Sequence, residues 1–108
     1  MADAQLSITA AEQVDDRITY LSKQGAPERV VRRFVAEVRE MQQLIGSQPQ
    51  LGVDRPELGG PPSVQSTIHG SCSYLWTAET DPPLIVAVLG PGQDPEQFFS
   101  QHHPADLI

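Results

Sequence analysis

Six consecutive apolar residues, Leu84-Ile85-Val86-Ala87-Val88-Leu89, stand between Pro82-Pro83 and Gly90-Pro91-Gly92. A short apolar run closed off by turn residues reads as a strand, and one without polar alternation reads as a strand covered on both faces. The rest of the chain must therefore supply a sheet around this segment and something to pack on it. With 108 residues it has room for one domain and a single core.

The preceding segments provide those parts. Gln5 to Ile8 alternates polar and apolar, as a short half-buried strand does. Thr9-Ala10-Ala11-Glu12 reads as a capping box opening a first helix, with Ala11, Val14, Ile18 and Leu21 at helical spacing. Gly25 ends that helix, and Pro27 opens a second at its first helical position. The second helix is the longer one, with Val30, Val31, Phe34, Val35, Val38, Met41, Leu44 and Ile45 keeping one apolar face. The short connection makes the pair an antiparallel hairpin. Ser47 to Pro62 is rich in proline and glycine and reads as a loop without regular elements. Two strands follow, Ser63 to His69 and Cys72 to Ala78, with Gly70-Ser71 as a two-residue turn. In the second, Cys72, Tyr74 and Trp76 share one face, and Ser73, Leu75 and Thr77 share the other. After Leu89, Asp94 caps a short last helix with Pro95 in its first turn, and residues 101–108 read as a frayed tail. The expected architecture is α+β: an N-terminal strand, then a helix hairpin packed on an antiparallel sheet of three to four strands, then a short helix. It forms a single domain over 1–108, with its core at about 5–99.

Charge narrows the function. All seven basic residues (Arg17, Lys23, Arg29, Arg32, Arg33, Arg39 and Arg55) lie in the first 55 positions, and nothing after Arg55 offsets six further acids. A net charge of −7 argues against a nucleic-acid-binding surface, since the sum steers polyanions away, so no direct nucleic-acid partner is expected. No apolar run approaches the ~20 residues that span a bilayer. The N-terminus has no secretory pattern, and the single cysteine, Cys72, fits a reducing cytoplasm. Cys72 reads as a small strand residue rather than a nucleophile, and no metal or other cofactor is expected.

Four stretches resemble the RelE/ParE toxins of type II toxin–antitoxin systems. They are Ala11–Gly25, Ala26-Pro27-Glu28-Arg29-Val30 with Phe34, Pro49 to Leu58, and Val86 to Pro95. The Pro49–Leu58 loop is closer to the ParE-like branch. That resemblance implies a toxin acting by protein–protein binding on a gyrase-type target and neutralised by a cognate antitoxin that wraps the helix hairpin and sheet. The departures are specific. Gln65 stands near a family arginine, and Thr77 follows Trp76 where a basic residue follows an aromatic. Ala87 and Gly90 replace arginine and histidine, and Gln93 stands at an often basic position. RNA cleavage by 2′-hydroxyl attack needs a base, an acid and cations over the phosphate. The strand half offers only His69 as a base, with His102 and His103 in the tail. Three readings result: a ParE-like toxin, a non-toxic interaction module of the same fold, and, third, an mRNA endonuclease. No catalytic residue is assigned. Candidate partner contacts are the second-helix arginines Arg29, Arg32, Arg33 and Arg39, able to receive acidic groups, and Tyr74 and Trp76 as an exposed aromatic anchor. The plainer alternatives are a solvated helix face and two core aromatics.

Overall fold

The computed structural model describes residues 2–107. The element order is β1 (Gln5–Leu6), α1 (Ile8–Lys23), α2 (Glu28–Ser47), β2 (Val53–Asp54), β3 (Val64–His69), β4 (Cys72–Thr77), β5 (Leu84–Leu89) and α3 (Pro95–Gln101). Single 3-10 turns cover Pro56–Leu58 and Pro104–Leu107. The α+β class and the strand, helix hairpin, meander order stand as expected. The sheet has five strands rather than three to four, in the order β1-β5-β4-β3-β2. It is not wholly antiparallel, because β1 runs parallel to β5, with Gln5 opposite Leu84 and Leu6 opposite Ile85.

β5 lies between β1 and β4 and is covered on both faces, as its apolar run requires. The helix hairpin covers one face of the sheet: Phe34, Val38, Met41 and Ile45 from α2, with Ala10 and Val14 from α1, pack over Cys72, Tyr74, Trp76, Ile85 and Val88. A second cluster seals the other face, where Phe98 and Phe99 of α3, Leu58 and Leu107 meet Val64, Leu75, Val86, Ala87 and Leu89. Val86 and Ala87 are consecutive yet share this face. The ladder to β4 shifts register between Leu75 and Trp76, and a bulge places two residues where alternation allows one.

Several local expectations are corrected. The α1 cap is Ser7, not Thr9. Ser7 Oγ accepts from Ala10 N at 3.0 Å and also donates to Val86 O, a second bond that ties the cap to the sheet. Pro27 is the α2 cap residue, not its first helical residue. Gly25 does end α1, with φ +76°. Val30, Val35 and Leu44 stand exposed at the margins of the α2 apolar face. The Ser47–Pro62 segment is not featureless: Val53 and Asp54 pair with Ser66 and Gln65 as an edge strand. The tail is not frayed throughout, since Leu107 is buried in the second cluster. Among the described residues, no helix is long and apolar enough to cross a membrane.

Candidate functional site

The α2 arginines come from a helix whose buried residues fix its orientation. Phe34, Val38, Met41 and Ile45 point at the sheet, so Arg29, Arg32, Arg33 and Arg39 fall on the opposite side, within roughly a third of the wheel at about 100° per residue. All four are exposed. Two are held within the helix: Arg32 Nη2 lies 2.6 Å from Glu28 Oε1, and Arg33 Nε lies 3.5 Å from Glu37 Oε1. Exposed i,i+4 pairs of this kind are worth only a few tenths of a kcal/mol, so an incoming carboxylate can replace them.

Tyr74 and Trp76 do not form an exposed anchor. Both are fully buried under the hairpin. The Trp76 indole donates to Pro49 O at 2.9 Å, and Gln65 holds the same loop through Gly52 N and Gln50. These bonds turn the middle strand's aromatic face into the floor of the core, where a small domain needs its large side chains. The Tyr74 hydroxyl is buried without a hydrogen-bond partner among the described residues, and burial pushes its pKa up.

His69 and His102 stand in different surroundings. His69 sits near Glu40, with Nε2 3.7 Å from Oε2, and edge-on to Tyr74. His102 stacks on Phe98 at 4.2 Å between ring centroids and is half-buried rather than solvated. No cluster of three or more His, Cys, Asp or Glu among the described residues suits a metal ion. Cys72 is buried, and burial raises its thiol pKa, which disfavours the thiolate a nucleophile needs.

The structure also assembles a cleft that no local pattern announced. Arg17 of α1 reaches the end of β5, so the last strand has a cation nearby although its own half of the chain has none. The guanidinium lies over the Tyr20 ring at 5.4 Å, and a Cβ added at Gly90 would come within 3.6 Å of its Nη1. The cleft has a volume of about 330 Å³ and is lined by Gln13, Arg17, Tyr20, Cys72, Val88 and Gln93, among others. No carboxylate pairs with Arg17 among the described residues. Arg17 could be found in the sequence only as a half-buried position on α1, because its neighbours at Cys72 and Gly90 lie more than fifty residues away.

The chemistry available here is recognition. One cation, the Asp16 carboxylate, amide side chains and a protonated thiol line it, a set able to hold an anionic or peptide group. No protein-family model matches the chain, and no curated protein matches it significantly.

Proposed function

We propose that this protein is a ParE-like toxin component that acts by binding a protein target of the gyrase type and is neutralised by an acidic segment of a cognate antitoxin. The observation that carries this reading is the α2 surface: four exposed arginines on one side of a molecule with a net charge of −7. The strand, helix hairpin and meander order agrees with the resemblance that suggested it. The reading involves no RNA chemistry. The β3–β5 strands carry no cation, and His69 stands by Glu40, while Arg17 lies in the cleft beside Cys72 and Gly90.

A second reading, a non-toxic interaction module, is favoured by one feature. α3, Leu58 and Leu107 seal the sheet face opposite the hairpin, so the strands present no open working surface there. Inducible expression, scored for growth with and without the neighbouring gene, separates the two. Growth arrest relieved by the neighbour supports the toxin, and unimpaired growth with a stable complex supports the module. We expect no mRNA cleavage, alone or with ribosomes. Discrete products mapped by primer extension and lost in His69→Ala would overturn both readings.

A further inference from the structure

From its edge geometry we infer that β5 between Val88 and Gly90 is a docking edge for an extended peptide segment of another protein, which adds as a strand beyond the end of β1. β1 covers only the first part of β5, pairing at Leu84 and Ile85. Past that point two glutamine side chains occupy the places of strand carbonyls. Gln13 Oε1 accepts from Val88 N at 2.8 Å, and Gln93 Oε1 accepts from Gly90 N at 2.6 Å. Val88 and Gly90 are two apart, so both amides face the same open edge, and the Val88 carbonyl points the same way. Side-chain amides are replaceable surrogates, and a peptide carbonyl is the acceptor they imitate.

The space beside this edge is a trench. Gln13, Asp16 and Arg17 of α1 form one wall, Gln93, Gln97 and Gln101 at the α3 end form the other, and the edge forms the floor. Two adjoining cavities of about 330 and 380 Å³ make up this trench and share Gln13, Asp16 and Gln93. Arg17, half-buried and without a carboxylate partner among the described residues, stands at the Gly90 end and selects a carboxylate. Asp94 lines the other end, Asp16 stands where the two cavities meet, and together they reject a run of acids. The segment that fits carries one acidic side chain among neutral, β-branched neighbours. This surface is distinct from the outer face of α2, so its failure would leave the toxin reading untouched.

The test is titration of the ¹⁵N-labelled full chain with acetyl-Thr-Val-Glu-Val-Thr-amide, followed by NMR. We expect saturable shifts of the Val88 and Gly90 amides, with binding at least about tenfold weaker when lysine replaces the peptide's glutamate. Arg17→Glu should reverse that preference. Gln13→Ala should tighten binding several-fold by removing the competing acceptor, an effect that a purely structural role for Gln13 would not produce. Absence of shifts at millimolar peptide would overturn the inference. So would equal binding by the same peptide with every backbone nitrogen methylated, which has no strand N–H donors. Edge shifts that follow protein concentration without peptide would assign the edge to a second copy of the chain and overturn it as well.

Discussion

Phe34 and Tyr74 show how much a single buried side chain decides. Phe34 is 6% exposed at the centre of the α2 core face, so Phe34→Ala should cost roughly 3–5 kcal/mol and leave the protein largely unfolded. A soluble variant with an unchanged melting temperature would contradict that packing. Tyr74→Phe should do the opposite. Its hydroxyl has no partner to lose, so removing it should be neutral or stabilising by about 1 kcal/mol in denaturant titration. The same burial gives a pH dependence. Cys72 and Tyr74 are acids whose pKa values are raised in the fold above 9.0 and 10.0. Above those values the unfolded chain releases its protons first, so stability is intact below about pH 9 and falls as pH rises further. Melting curves from pH 8 to 11 should show that decline, flattened in Tyr74→Phe. At this scale the sequence was legible where a residue's role is set by its own face. Phe34 and the alternation of Cys72, Tyr74 and Trp76 belong here. Whether that aromatic face lay inside or outside was not legible, because it depends on which side of the sheet the hairpin takes.

Elements announced themselves in proportion to their length. α2 and β5 were readable because twenty residues of one period and six of unbroken apolarity leave little choice. β2 has two residues and no apolar pattern, and β3 alone makes it a strand. The α1 boundary illustrates tertiary selection. Ser7 and Thr9 are both competent caps, but only Ser7 also reaches Val86 O, so the sheet settles where the helix begins. Ser7→Ala should therefore cost more than an isolated cap, about 1–2 kcal/mol, while Thr9→Ala should change the melting temperature little. Equal effects would return the cap to Thr9. Arg17 stayed hidden for a related reason: its surroundings come from β4 and the turn after β5, and no window along α1 contains them.

For the molecule as a whole, the acidic excess and the arginine face divide stability from recognition. Exchanging Arg32 and Arg33 for glutamate should leave the melting temperature nearly unchanged, since both are exposed. Binding to an acidic partner through this face should weaken by roughly 2–5 kcal/mol, read by calorimetry with the neighbouring gene product. Unchanged affinity at low salt would show that the partner sits elsewhere. The class and order of elements were readable because they follow from periodicity. The fifth strand, the parallel pairing and the sealed second face were not, because each joins segments far apart. The parallel pairing of β1 with β5 also bears on how the protein is made. The bond from Ser7 to Val86 spans 79 positions, so the first strand waits for the last. A nascent chain that has not yet delivered Leu84 holds α1 without its floor and Gln5–Leu6 without a neighbour. Such long-range closure slows folding. It also means that the native surface, with its arginine face and its open edge, comes into being only when synthesis is nearly complete.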